Sequence, residues 1–117
     1  MSGISSYHAG LAAEDIVSRA YQSLGWQELK RRWRGPGGEI DLIMAAGETT
    51  VFVEVKKSRD FASAAARITA RQLGRIEASA MGYIAQLENG QNSETRIDAA
   101  LVDAQGRVEI LENVTLH

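Results

Sequence analysis

The alternation of apolar and polar positions along the chain predicts a series of helices and strands. Apolar residues recur three and four positions apart from Ala9 to Leu24, as in an amphipathic helix, and Gly25 is a suitable stop. The segment 26–33 mixes aromatic and charged residues and predicts a strand that runs into a breaker cluster at 35–38. We expect this cluster to form a mobile loop.

Two strands follow the breaker cluster, and the residues between them suggest their register. The runs GEIDLI and VFVEVK predict an antiparallel hairpin in which Ala45 faces Thr50. Counting along the strands from that pair brings Asp41 opposite Glu54. Because side chains alternate between the faces of a strand, Lys56 shares a face with Glu54.

The rest of the chain completes an α/β pattern. Apolar positions from Ser63 to Glu88 predict one long helix, and the segments TRIDAALVD and RVEILEN predict a pair of strands. We expect the first of these strands to lie parallel to an earlier one, because it follows a helix. The fold class is therefore a mixed central β-sheet flanked by helices. With 117 residues and 44% hydrophobic content, residues 1–117 are expected to form a single domain.

Composition narrows the classes of protein and site. The chain has no cysteine, which excludes disulfides and thiolate metal sites. Neither a signal peptide nor a membrane span is recognisable, so we expect a soluble, cytoplasmic protein. A net charge of −2 and a pI near 5.7 argue against a general binder of polyanions. Any surface for nucleic acid must be local.

The opposed acids suggest a cation site. Carboxylates at about 4.5–5.5 Å between Cβ atoms repel each other, and either a proton or a cation relieves this repulsion. Oxygen ligands favour Mg²⁺ or Mn²⁺ over zinc, and Lys56 could reach charge that develops on a phosphate. Glu39 is a weaker candidate near this site. The same pattern would also arise if Asp41, Glu54 and Lys56 were simply polar residues on a strand face exposed to solvent.

The segments GEIDLI and VFVEVKKSR resemble the D-x(n)-E-x-K core of the PD-(D/E)XK nuclease superfamily. More narrowly, they resemble the bacterial YraN family of Holliday-junction-resolvase-like endonucleases. The resemblance includes a first helix with Gly10 and Glu14 and the later segment RIDAALVD, and it covers about residues 8–103. It implies a restriction-endonuclease-like fold with an αβββαβ core. It also implies a Mg²⁺-dependent deoxyribonuclease, with branched or flapped DNA among the expected substrates.

The same resemblance assigns roles within the site. It implies that Asp41 and Glu54 hold Mg²⁺ or Mn²⁺ and that the carbonyl of Val55 adds a ligand. It further implies that Lys56 positions or activates the attacking water and that Glu14 completes the acidic cluster. Taken from its position alone, Glu14 borders the apolar stripe of the first helix. It is then either an ordinary surface acid or a partly buried carboxylate that needs a partner.

Basic residues suggest where a phosphate backbone would bind. Arg67, Arg71 and Arg75 fall four apart on the predicted second helix. Like charges at this spacing repel, so the row favours an anion lying along it, although a solvated face would also explain it. Arg71 matches a lysine position of the family. Lys57 and Arg34 add to the local positive charge, which suits contacts with nucleic acid.

Three functions therefore remain open at the level of sequence. The leading one is an endonuclease that hydrolyses phosphodiester bonds in DNA. A second is a catalytically weak nucleic-acid-binding or scaffold module that retains the nuclease fold. The third is a subunit that becomes active only with a partner protein.

Overall fold

The computed structural model describes residues 3–87 and 94–114, which form a five-stranded sheet with helices packed on both faces. The elements are α1 (Gly3–Ser23), β1 (Gln27–Gly35), β2 (Gly38–Ala46), β3 (Thr49–Lys57), α2 (Phe61–Ala65), α3 (Ala70–Ile84), β4 (Glu94–Val102) and β5 (Val108–Leu111). The strand order is β1-β2-β3-β4-β5, and only β3 and β4 are parallel neighbours. This arrangement confirms the predicted mixed sheet and its αβββαβ core.

The first helix is longer than its apolar stripe predicted, since it begins at Gly3. It ends at Ser23, and Gly25, with φ of +96°, turns the chain away as expected. One side of α1 packs on the sheet through a buried layer that contains Ala13, Val17, Tyr21, Leu42, Met44, Val51 and Val53. None of the described helices has both the length and the apolar character needed to cross a bilayer.

The prediction of one helix over 63–88 is wrong, because the chain forms two helices in this region. Asp60 caps the short α2, and Thr69 then acts as a new N-cap for α3. The hydroxyl of Thr69 accepts a hydrogen bond from the backbone amide of Gln72 at 3.1 Å. Capping threonines of this kind start helices, and the apolar period alone does not reveal them. The predicted end at Glu88 lies outside the described residues.

The turn between β1 and β2 packs tightly on α3, so the expected mobile loop at 35–38 is also wrong. A side chain at Gly37 would collide with the carbonyl oxygen of Arg75. Ser79 Oγ accepts from the Gly37 amide at 3.0 Å and donates to the Gly38 carbonyl at 2.7 Å. Glycine is needed at position 37 because the backbone approaches α3 closely. The turn is thereby held against the helix.

Strand β2 changes its alternation at Asp41. Ile40 and Ile43 both pack in the layer beneath α3, whereas Leu42 packs in the layer beneath α1. A regular strand would place residues 40 and 42 on the same face. The irregularity puts Asp41 between the two layers, at the point where the candidate site lies.

Candidate active site

Asp41 occupies the position where β2 and β3 separate. The register predicted for this hairpin is confirmed, and its last pair is Leu42 with Val53. One step further, Asp41 Oδ2 accepts a hydrogen bond from the Val55 amide at 2.8 Å. The Asp41 side chain therefore bonds the Val55 amide at a point where the backbones of β2 and β3 are no longer paired. The amide and carbonyl of one strand residue point to the same side, so the Val55 carbonyl also faces β2.

The carboxyl groups of Asp41 and Glu54 are neighbours, as the counting along the strands predicted. Burial raises the pKa of Asp41 to about 7, and the negative charge of Glu54 adds to this rise. The hydrogen bond from the Val55 amide and the charge of Lys56 act against this rise in the pKa of Asp41. Ionising both carboxylates is therefore unfavourable in this partly buried position. A bound cation would relieve the repulsion between them.

Lys56 lies beside this pair and is shielded from solvent. Its Nζ is 3.4 Å from Glu54 Oε1, and only 12% of the Lys56 side chain and 14% of the Glu54 side chain are exposed. Alternation along β3 places the two residues on one face, as predicted. With the amide of Gln72 turned toward it, Lys56 Nζ also donates to the Gln72 oxygen at 3.0 Å. This contact between β3 and α3 was not predicted from the sequence.

Glu14 lies near Asp41 but already has a partner. It is buried, and its Oε1 accepts from Arg32 Nε at 3.0 Å. Burial raises the pKa of Glu14, against the hydrogen bond from Arg32, and the charge of Asp41 raises it further. The electrostatic contact with Asp41 fits a place at the edge of the site. A partner for this carboxylate was one of the two alternatives expected from its position on the helix, but Arg32 was not predicted as that partner.

The donors available to a cation are few. Asp41 and Glu54 offer two adjacent carboxylates, and Val55 offers a carbonyl on the same side of its strand. Among the side chains of residues 12–87 and 94–114, no group of three or more histidine, aspartate or glutamate residues converges on one point. Mg²⁺ commonly binds proteins through one or two carboxylates and completes its shell with water and phosphate oxygens. This donor set suits such an ion, but it does not suit a fully enclosed protein cage.

A cleft of about 190 Å³ opens next to Glu54, between the β1–β2 turn and α3. Its lining consists of Gly37, Gly38, Glu39, Glu54, Gln72, Arg75 and Ile76. Arg75 is exposed, and no residue in the described part of the chain forms an ion pair with it. A guanidinium in this position can meet an anion that enters the cleft.

The other predicted basic residues are distributed around this cleft. The row of three arginines on one helix is wrong, because Arg67 lies in the turn between α2 and α3. Its Nη1 donates to the Lys57 carbonyl at 2.6 Å, which ties this turn to the end of β3. Arg71 is exposed in the first part of α3, one turn before Arg75. Arg34 is exposed on β1 and pairs in register with Glu39, which lines the cleft.

A further buried acid, Asp98 on β4, has a different environment. Its carboxylate accepts from Tyr21 Oη at 2.7 Å, from Arg96 Nε at 2.9 Å and from the Asn113 amide at 3.0 Å. Arg96 also bonds Asp98 through a second nitrogen and stacks over Trp26. These bonds satisfy the carboxylate fully, so Asp98 joins α1, β4 and the segment after β5. Its role is structural.

Comparison with known proteins identifies the family. Residues 13–102 match the model described as "Uncharacterised protein family UPF0102". The chain belongs to the UPF0102 family. A UPF0102 protein of Cereibacter sphaeroides strain KD131 is 52% identical over 113 residues, which cover 97% of both chains. One from Ruegeria pomeroyi is 50% identical over 115 residues, covering 98% of this chain and 94% of the relative.

The UPF0102 family is YraN-like, which agrees with the resemblance found in the strand segments. The matched span includes both carboxylates of the pair, the lysine beside them and the buried glutamate of α1. A UPF0102 protein of Dinoroseobacter shibae is 41% identical over 108 residues, covering 92% of this chain and 81% of the relative. The relatives therefore match nearly the whole chain around the site.

Proposed function

We propose that this protein is a metal-dependent endonuclease of the PD-(D/E)XK type that hydrolyses phosphodiester bonds in DNA. The observation that carries the proposal is the buried pair of Asp41 and Glu54, with Lys56 Nζ 3.4 Å from the second carboxylate. Two acids and an ammonium at one end of two strands have no evident structural purpose comparable to that of Asp98. The order of residues along the chain also matches the nuclease core.

In this proposal, Mg²⁺ or Mn²⁺ is held by the carboxylates of Asp41 and Glu54 together with the Val55 carbonyl. When bound, such an ion polarises a phosphate oxygen and makes a water molecule more acidic. The protein supplies the rest of the site. The partial burial of Asp41 and Glu54 strengthens every electrostatic interaction there, because water screens buried charges less. Glu14, neutralised by Arg32, adjusts the electrostatic environment of Asp41 without binding the ion itself.

The basic side chains then act on the DNA. Lys56 donates a hydrogen bond to a non-bridging oxygen of the scissile phosphate and stabilises the charge that grows there during attack by water. Arg75 binds a phosphate within the cleft, and Arg71, Arg67, Lys57 and Arg34 contact the flanking backbone. Contacts of this kind recognise phosphate rather than base sequence. Branched and flapped DNA are accordingly included among the substrates to test.

A second candidate is a nucleic-acid-binding module with little or no turnover. The observation that favours it is that the described side chains offer no third carboxylate converging on the pair, since Glu14 forms an ion pair with Arg32. In such a module the basic side chains would bind DNA while the acid pair remained idle. An obligate partner protein could also complete the site.

The decisive experiment compares cleavage of single-stranded, duplex, flapped and four-way DNA in Mg²⁺ or Mn²⁺. We expect cleavage of at least one substrate by the unmutated protein and a loss of about 100-fold or more in Asp41→Asn and Lys56→Ala. Glu109→Gln is the matched control, because Glu109 is exposed on β5, and it should cleave within about twofold of the unmutated protein.

Two outcomes would contradict the proposal. Cleavage that persists in Asp41→Asn would arise from a contaminant or from a different site. Binding of DNA that weakens with rising salt, without any cleavage by the unmutated protein, would instead support the binding module.

A further inference from the structure

Gln72 connects the first turn of α3 to Lys56. With its amide oxygen toward β3, it accepts from Lys56 Nζ at 3.0 Å, and its nitrogen donates to the Arg67 carbonyl at 3.0 Å. In the reverse orientation the oxygen accepts only from the Thr69 amide, at 3.3 Å, and the nitrogen faces the Lys56 ammonium. Two donors that face each other repel. The orientation toward Lys56 is therefore the better one.

Arg67, which accepts the hydrogen bond from the Gln72 side-chain nitrogen, is itself bonded to β3. Arg67, whose carbonyl receives the Gln72 amide, donates through its guanidinium to the Lys57 carbonyl at 2.6 Å. Thr69 holds the start of α3 through its bond to the Gln72 backbone amide. These contacts form a closed loop from β3 through the turn and α3 back to β3. The Gln72 oxygen is thus held in place rather than free to rotate.

Resting on the nuclease function proposed above, we propose that Gln72 is a positioning residue that holds the Lys56 ammonium in the cleft while Glu54 binds the ion. With the Gln72 amide in the orientation chosen above, Lys56 has two acceptors, Glu54 and Gln72. A cation bound to Glu54 would use the same carboxylate and repel the Lys56 ammonium. The contact between Lys56 and Glu54 would therefore weaken when the ion binds. The neutral Gln72 amide keeps its dipole toward Lys56 in either state.

Glutamine suits this position better than charged residues do. A lysine here would repel Lys56, and a glutamate would place a third acid beside the pair and face the Arg67 carbonyl without a proton to donate. Methionine has a similar length and keeps the helix, but it offers only a weak acceptor. Gln72→Met therefore removes the contact with little change in packing.

The first test uses the metal-free protein and does not depend on cleavage. The chain contains three lysines, Lys30, Lys56 and Lys57, so the ammonium resonances of ¹⁵N-lysine-labelled protein can be assigned by substitution. We expect a slowly exchanging Lys56 ammonium signal in the unmutated protein and exchange at least about threefold faster in Gln72→Met, where Glu54 remains as an acceptor. Gln86→Met, at an exposed position beyond α3, should leave the exchange rate unchanged. An unchanged Lys56 exchange rate in Gln72→Met would overturn the proposal.

The second test measures steady-state cleavage of the best DNA substrate. Gln72→Met should lower kcat by about tenfold or more while KM changes by less than about twofold, because Gln72 positions a catalytic group rather than binding DNA. An unchanged kcat, or a loss confined to KM, would overturn the proposal. If the unmutated protein cleaves no DNA, the proposed function fails, and the ammonium spectra alone then decide whether Gln72 holds Lys56.

Discussion

At the residue scale, the two buried acids near the site differ in their surroundings: Asp41 lies beside the like charge of Glu54, whereas Glu14 accepts a hydrogen bond from Arg32. Counting inward from the hairpin turn placed Asp41 opposite Glu54, because a strand has a fixed period of two. The Arg32 side chain reaches Glu14 from a backbone with φ of +53°, a conformation that residues other than glycine rarely adopt. No hydrophobic period signals such a position in advance.

The raised pKa of Asp41 predicts how stability depends on pH. The folded protein keeps the proton of Asp41 up to about pH 7, whereas the unfolded chain releases it near the ordinary value of 3.8. The unfolded state therefore binds fewer protons between these values, and stability falls as pH rises from about 4 through 7. Asp41→Asn removes this cost and should stabilise the metal-free protein by about 2–4 kcal/mol at pH 8.

Chemical denaturation at pH 5 and pH 8 measures this effect. The gain from Asp41→Asn should fall to roughly half or less at pH 5, which lies only about one unit above the ordinary pKa of 3.8, and it should vanish only below that value. Glu109→Gln provides the control, with no comparable change expected at either pH because the residue is exposed. Equal stability of Asp41→Asn and the unmutated protein at pH 8 would show that the pair carries no such cost.

At the element scale, the sequence predicted the strands along the chain and a parallel position for β4, but neither its neighbour β3 nor the start of α3. Apolar positions with a period near 3.6 continue through the break, because both helices pack on the same sheet. The signal that was overlooked is Thr69 itself, an N-cap threonine whose hydroxyl accepts from the Gln72 backbone amide. Likewise, the cluster at 35–38 contains the glycines of a flexible loop, yet those glycines permit close packing on α3.

The contact between this turn and α3 can be tested through Ser79. Its hydroxyl bridges the Gly37 amide and the Gly38 carbonyl, and Ser79 is fully buried. Ser79→Ala leaves both backbone groups without this partner, so we expect the free energy of unfolding to fall by about 1–3 kcal/mol. Ser23→Ala is the matched control, since that hydroxyl makes one exposed bond to the Ala20 carbonyl, and it should change stability by about 0.5 kcal/mol or less. Similar losses in both variants would mean that the bridge adds nothing specific.

At the scale of the whole molecule, the net charge of −2 conceals an uneven distribution. Of the basic residues predicted to bind nucleic acid, Arg75 lines the cleft, and Arg71 lies one turn before it on α3. Acids such as Glu94, Glu109 and Glu112 lie on β4 and β5 or just beyond. A molecule of this kind can bind phosphate locally despite its overall sign. Composition suggested this asymmetry, but only the fold shows that Arg75 enters the cleft while Arg67 is committed to Lys57.

The central claim is that Asp41 and Glu54 form one binding site for a hard divalent cation. Isothermal titration of Mn²⁺ into the metal-free protein at pH 8 tests it most directly, with Asp41→Asn, Glu54→Gln and the control Glu109→Gln measured alongside. We predict saturable binding by the unmutated protein and by Glu109→Gln, and a loss of at least tenfold in affinity in each of the other two variants. Binding that is absent from the unmutated protein, or equally strong in all four, would contradict the account.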